Sequence, residues 1–173
     1  MARKRLIEFG IDQFALREIA DSIEIKLSNV QYYFKTREEL VLQVLIEEAA
    51  RDRALIQHHQ ESSQSATDTF RAIVKDLTTR WRGESGVLFS TLGTLAIHND
   101  TYRELYRAIY ADFYLALEEP LKHLNPDLST TERKLRVRLI TALIDGAPMQ
   151  PQMGNKPIFL KRIQVEAELI ALA

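Results

Sequence analysis

Apolar positions recur every three or four residues along nearly the whole chain, the period of helices that bury one face. Leu16, Ile19, Ala20 and Ile23 form one such stripe. A second short segment, about Leu27 to Phe34, turns Val30 and Phe34 inward, with Ile25 expected in the core beside them. The spacing predicts two short helices meeting at a tight corner. Thr36 followed three residues later by Glu39 is a capping box, so a long helix opens at Arg37 and carries Leu40, Val41, Val44, Leu45 and Ala49 on one face as far as about His59. Upstream, residues 2–9 form a helix closed by Gly10, too short to persist without packing on its neighbours.

Further along, the polar stretch 61–68 reads as a loop, and a helix over 67–82 follows with Phe70, Ile73, Val74, Leu77 and Trp81 on its inner face. Gly83 and Gly86 break it. Residues 87–97 suit a strand as well as a buried helix, but the chain offers no second strand to pair with them, so a helix is expected. Asn99 and Asp100 cap a long helix to about Leu124, lined by Leu105, Ile109, Phe113 and Ala116, which Pro120 should bend or interrupt. Ser129 and Glu132 form another capping box, ahead of a helix over 130–145 with Leu135, Leu139, Ala142 and Leu143. Gly146 and Pro148 stop it. After a Pro-punctuated loop containing Met149 and Met153, a last helix over 158–172 carries Phe159, Leu160, Ile163, Val165, Leu169 and Leu172. The prediction is an all-α protein: an N-terminal helix-turn-helix three-helix head (1–46) joined to a C-terminal antiparallel helical bundle (47–173).

Composition narrows the function classes. With 173 residues, 46% of them hydrophobic, the chain can bury one good core. Its 23 Lys and Arg face 24 Asp and Glu, a net charge of −1, so any nucleic-acid affinity must come from local placement rather than bulk charge. Cysteine is absent, which excludes disulfides and thiolate metal sites. No apolar run approaches the roughly 18 residues of a membrane span, and Met1 is not followed by a signal-like apolar core, so the cytoplasm is the expected compartment and no membrane partner is expected.

Chemistry concentrates on the segment 27–34, whose outward side chains are Ser28, Asn29, Gln31, Tyr32 and Tyr33. A plainly solvated helix usually shows Lys and Glu there. Short hydroxyls, amides and phenols suit base edges and phosphate oxygens, so the face reads either as an ordinary polar surface or as the reading helix of a motif that binds double-stranded DNA.

The residues REIA at 17–20, Ile25, SNVQYYFKTREEL at 28–40 and ALIDG at 142–146 together resemble the TetR-type (tetracycline-repressor-like) bacterial transcriptional regulators. The likeness is strongest over residues 2–46 and is one of layout beyond. It implies a homodimeric repressor whose two heads enter successive major grooves of a palindromic operator and are released when a small molecule binds the bundle. By position it implies base contact by Arg17, a recognition segment of Lys26, Leu27, Ser28, Asn29, Gln31, Tyr32 and Tyr33, a DNA contact at Lys35, and phosphate contacts at Tyr32 and Arg37. Independently of the resemblance, Arg can chelate guanine and Asn or Gln adenine, and the amides at the start of the Arg37 helix add positive potential. The chain departs from the pattern at Glu24, where the corner usually has Gly, and at Ala15, where a capping Ser or Thr is common. A left-handed Glu24 or a missing cap costs about 1 kcal/mol each.

Phe70, Trp81, Phe89, Tyr110 and Phe113 are candidates to line an effector pocket for an apolar or aromatic small molecule, with core packing the competing role for each. Trp81 and Tyr110 each join an apolar body to one polar atom. The 130–145 and 158–172 helices are expected to pair with their twins in a homodimer. His58 and His59 diverge by about 100° on a helix and read as surface residues rather than metal ligands. Glu118 and Glu119 diverge likewise, and no phosphate loop, nucleophile motif or HExxH is present, so neither enzymatic activity nor a cofactor is expected. The alternative to a regulator is a dimeric helical module that binds small molecules and has impaired or lost DNA binding.

Overall fold

The computed structural model describes residues 1–62, 65–150 and 156–173, and every described element is helical. In order these are α1 (Ala2–Phe9), α2 (Leu16–Ser22), α3 (Leu27–Tyr33), α4 (Arg37–Gln60), α5 (Ala66–Arg82), α6 (Glu84–His98), α7 (Asp100–Leu124), α8 (Thr130–Gly146) and α9 (Pro157–Leu172), with a short 3-10 turn at Ala147–Met149 between the last two. Helix starts are set locally. The Thr36, Ser65 and Ser129 hydroxyls accept from the amides of Glu39, Asp68 and Glu132, and the Asn99 side chain accepts from Tyr102 N–H. Glu39 reciprocates by accepting from Lys35 N–H at 2.7 Å, which pins the turn between α3 and α4. Arg103 of α7 donates to the carbonyls of Ala96 and Ile97, closing the free end of α6.

Two apolar clusters hold these helices. One joins the head to the bundle: Leu6, Phe14 and Ile19 pack with Leu40, Val41, Val44 and Leu45 of α4, and Leu88 and Leu92 of α6 complete the same cluster. The other fills the bundle, with Ile73, Leu77 and Trp81 of α5, Phe113 and Leu117 of α7, and Val137, Ile140 and Ile144 of α8. Because α4 runs without a break from Arg37 to Gln60, and α6 sits in the core of the head, α1 to α4 are framed by the bundle itself. The second cluster includes Phe70 and Ile56 and extends to Ala167 and Ala171 of α9.

Several sequence expectations are corrected. α7 continues through Pro120 to Leu124: the Pro120 ring is buried between Leu117 and Leu121, both buried, and that burial outweighs the lost backbone hydrogen bond. Ile23 and Ile25 face solvent rather than the core, Ile25 at 38% exposure, because α2 ends at Ser22 and the chain turns before either can point inward. On α8 the buried residues are Val137, Ile140, Thr141 and Ile144, whereas Leu135 and Leu139 are exposed. α8 thus carries two apolar stripes, one facing the bundle and one facing out. Met149 is exposed at the end of the 3-10 turn, and Met153 lies outside the described residues.

Candidate functional site

The corner between α2 and α3 is built by backbone hydrogen bonds. Ile23 and Ile25 N–H both donate to the Ala20 carbonyl, and Glu24 between them sits at φ 56°, in the left-handed region. Ala20 has no exposed surface, so α3 can cross closely over α2. Val30 anchors α3 to the core and Phe34 is half-buried behind it. The rest of α3 stands out: Ser28, Asn29 and Gln31 are exposed, and Tyr32 and Tyr33 are 80% and 74% exposed, with their rings edge to face at 5.0 Å. Leu27 is half-buried, a packing residue at the foot of the helix.

Charge on the head is sorted in a way composition hides. Arg3 and Arg5 of α1 are engaged by carboxylates, Arg3 by Glu48 and Glu84 and Arg5 by Glu18. Arg17, Lys26, Lys35 and Arg37 make no ion pair among the described residues and are exposed around α3. Arg37 reaches across to donate to the Ile11 carbonyl at 3.3 Å, which orients its guanidinium along the head. The sequence-predicted DNA residues thus lie on α2, α3, the turns on either side of it and the start of α4, exposed except for the half-buried Leu27, with the exposed acids Asp21 and Glu24 at the corner between α2 and α3.

Within the bundle, Trp81 stacks on Phe89 with ring centroids 4.4 Å apart, and Tyr110 and Phe113 flank the pair. These four rings border a cavity of about 120 Å³ together with Ile46, Ala49, Asp52 and Ile109. A neighbouring cavity of about 280 Å³ shares Trp81, Phe89 and Tyr110 and adds Tyr106, Gly93, Ser90 and Asp145. Phe70, expected to line such a pocket, borders neither: it is buried in the core on the same helix as Trp81 but farther toward the helix start. Gly86 sets the position of Trp81. A side chain there would lie 1.8 Å from the Trp81 carbonyl, so α6 can begin this close to the end of α5 only with glycine at that point.

Sequence reasoning missed the buried acids. Glu48 and Asp52 lie on the inner face of α4, in register with Val41, Leu45 and Ile56, and that register was the available signal. Glu48 is fully buried and accepts from Arg3 Nε at 2.6 Å, Arg51 at 2.8 Å, Arg80 at 3.0 Å and the Ser85 hydroxyl. Burial would raise its pKa, but the hydrogen bonds from Arg3 and Ser85 and the charge of Arg80 hold it below the usual carboxylate value. Asp52 accepts from Arg80 Nε at 2.7 Å and from Trp81 Nε1 at 2.8 Å, yet burial keeps its pKa raised. One chain of polar contacts thus runs from the cavity wall at Trp81 through Asp52, Arg80 and Glu48 to Arg3 on the head.

A third acid, Asp145, is half-buried; it accepts from the Tyr110 hydroxyl at 2.9 Å through Oδ2, while its Oδ1 is buried and meets no protein donor among the described residues. Desolvation, partly countered by Tyr110, pushes its pKa up to about 7. Burial also raises the pKa of Tyr110, reinforced by the Asp145 charge. His59 pairs with Asp76 at 2.9 Å and is half-buried, so the two neighbouring histidines diverge. Among the described residues no group of His, Asp or Glu is arranged to hold a metal ion, and no helix is long and apolar enough to cross a membrane.

No family model and no curated protein matches the chain. Solved structures do. A TetR transcriptional regulator from Legionella pneumophila superposes with TM-score 0.78 at 17% identity, covering 97% of this chain and 91% of that one. A TetR transcription regulator from Haloarcula marismortui gives 0.79 at 18% identity, covering 97% and 90%. A transcriptional regulator from Saccharomonospora viridis, solved in complex with choline, gives 0.74 at 14% identity, covering 96% and 88%. The chain has the fold of TetR-type regulators over nearly its full length.

Proposed function

We propose that this chain is a TetR-type transcriptional regulator: a cytoplasmic homodimer that binds a palindromic operator in double-stranded DNA through residues 1–46 and is released by a small molecule held in the bundle formed by residues 47–173. The observation that carries the reading is the exposure of Tyr32, Tyr33, Asn29 and Gln31 on α3, flanked in the chain by Arg17, Lys26, Lys35 and Arg37, which are exposed and make no ion pair among the described residues. In this reading Tyr32 and Arg37 position the head on phosphates, while Arg17, Asn29 and Gln31 read bases.

The exposed apolar stripe of α8 (Leu135, Leu139) and that of α9 (Val165, Leu169, Leu172) favour a twofold four-helix interface, which would set two copies of α3 about one helical turn of DNA apart. The polar chain from Trp81 to Arg3 gives the cavity a physical route to the head, so a ligand that shifts Trp81 would bias how α1 sits on α4. The Saccharomonospora viridis structure with choline is consistent with a bundle of this fold holding a small molecule.

The test is a titration of random and selected duplexes at low salt, where phosphate contacts are strongest. Replacing Tyr32 or Arg37 should weaken binding to all sequences, and replacing Asn29 or Gln31 should relax preference at single bases. Failure of the intact protein to bind any duplex at about 50 mM salt would instead favour the small-molecule-binding module without DNA binding, for which the Glu24 charge beside α3 speaks.

A further inference from the structure

The two cavities of the bundle differ in one respect that bears on what they hold. Each has a carboxylate in its wall. The smaller one has two, Asp52, which is met by Arg80 and by Trp81 Nε1, and Asp112, which is met by Arg53 at 2.7 Å. Asp145, in the larger one, has no cation against it among the described residues. Its only protein donor among the described residues is the Tyr110 hydroxyl, and Oδ1 is buried and unpartnered. The groups that face it from the surrounding helices are Tyr106, Tyr110 and Tyr114 of α7 and, from α4, the carboxylate of Asp52. Arg138, on its own helix, lies over the Tyr114 ring at 5.1 Å instead.

The same cavity wall carries aromatic rings. Trp81 and Phe89 are stacked, and Tyr106 and Tyr110 lie 4.5 Å apart centroid to centroid, so rings from α5, α6 and α7 converge on a cavity of about 280 Å³. Rings of this kind attract a diffuse positive charge through their quadrupoles, and a carboxylate in a low-dielectric wall attracts it further. A neutral apolar ligand would leave the Asp145 carboxylate without a counter-charge, whereas any organic cation would offset that charge and one bearing an N–H would also donate to Oδ1.

We infer that this cavity takes an organic cation, a substituted ammonium whose alkyl groups rest on Trp81, Phe89, Tyr106 and Tyr110 and whose charge is met by Asp145. The inference rests on reading the bundle as an effector site and narrows the effector from an apolar or aromatic molecule to a positively charged one. In the free protein the Asp145 carboxyl sits near its titration midpoint, so binding a cation draws off its proton and affinity rises with pH. From about pH 6 to about pH 8 the gain should approach tenfold.

The chain has a single tryptophan, Trp81, in the wall of this cavity, so its fluorescence reports occupancy with no DNA present. The probes are choline, benzyltrimethylammonium and a primary alkylammonium, each paired with its uncharged carbon isostere. The expected result is that at least one charged probe quenches or shifts Trp81 at about tenfold lower concentration than its isostere. Asp145→Asn, which retains an acceptor for Tyr110, should erase that preference and the pH dependence. Tyr110→Phe, which keeps the carboxylate, should retain the preference, so a folding defect in one variant leaves the comparison intact. Equal binding of charged and neutral probes, a preference that survives Asp145→Asn, or no charged probe bound at about 10 mM overturns the inference. Because duplex DNA takes no part, these outcomes stand apart from any failure of the operator reading.

Discussion

Arg3 on the first helix closes on Glu48 of the fourth, Nε to Oε2 at 2.6 Å, across the joint between head and bundle. The carboxylate is fully buried, and Arg80 and Ser85 hold its other oxygen, so Arg3 links a head helix directly to α4 and, through Glu84, α6, and by way of Glu48 to Arg80 of α5. Neutralising Arg3 leaves Glu48 charged and buried but still bonded to Arg51 and Arg80. Arg3→Met should therefore cost about 1–2 kcal/mol, below the full price of orphaning a buried charge. Arg80→Met, which strips both Glu48 and Asp52, should cost more. Urea unfolding of the two variants checks the order, and a larger loss at Arg3 would contradict it.

Glu24 occupies the left-handed region at φ 56°, where a β-carbon is strained. Glu24→Gly should stabilise the fold by about 0.5–1 kcal/mol after the extra flexibility of unfolded glycine is counted. Glu24→Ala retains the β-carbon and should give no such gain. The pair of thermal melts separates backbone strain from the loss of a charge, and if Gly and Ala prove equivalent the strain account fails.

Leu139 of α8 and Leu169 of α9 are exposed on the outer face of the bundle, opposite the buried Ile140, Ile144, Ile163 and Ala167. With that face at a twofold interface, Leu139→Glu places like charges across the axis and should convert a dimer to a monomer at tens of micromolar by light scattering, while helical content is preserved. A wild-type chain already monomeric at that concentration would remove the interface.

Asp145 carries the pH dependence. Its folded pKa, about 7, stands above the ordinary 3.8, so between those values the native state holds a proton that the unfolded chain has lost. Stability contributed by this group is full in acid, falls as pH rises through about 7, and levels off above. Asp52, also raised by burial, acts in the same direction. Asp145→Asn should flatten this limb and so be more stable than the parent at about pH 8, by on the order of 2 kcal/mol, but not at about pH 4. Guanidinium unfolding at the two pH values measures it.

Much of the architecture was legible from residue order because helices are local objects. Three-to-four-residue spacing names most of the helices, and the capping residues Thr36, Asn99 and Ser129 set the starts of α4, α7 and α8, without reference to anything distant. The exposed face of α3 was legible for the same reason: once Val30 points inward, helical geometry sends Asn29, Gln31, Tyr32 and Tyr33 elsewhere. Glu24 was readable as the one awkward residue of the corner, although only the folded chain shows its φ.

Periodicity could not say which of two apolar stripes on α8 meets the bundle, nor that Pro120 would be carried inside an unbroken α7, because packing between helices decides both. It could not separate Phe70, sealed in the core, from Trp81 and Tyr110 at a cavity wall, since all recur at helical spacing. Nor could it pair Arg3 with Glu48, or set Asp145 in one cavity wall with aromatic rings and no cation against it among the described residues. The chain's order of residues determined which segments are helical and which side chains each one turns outward, through hydrogen bonds and sterics that reach only a few positions. The tertiary structure alone decided which buried charges find partners, because that depends on helices far apart in sequence arriving within about 3 Å of one another in a medium too poor in water to solvate a carboxylate left alone.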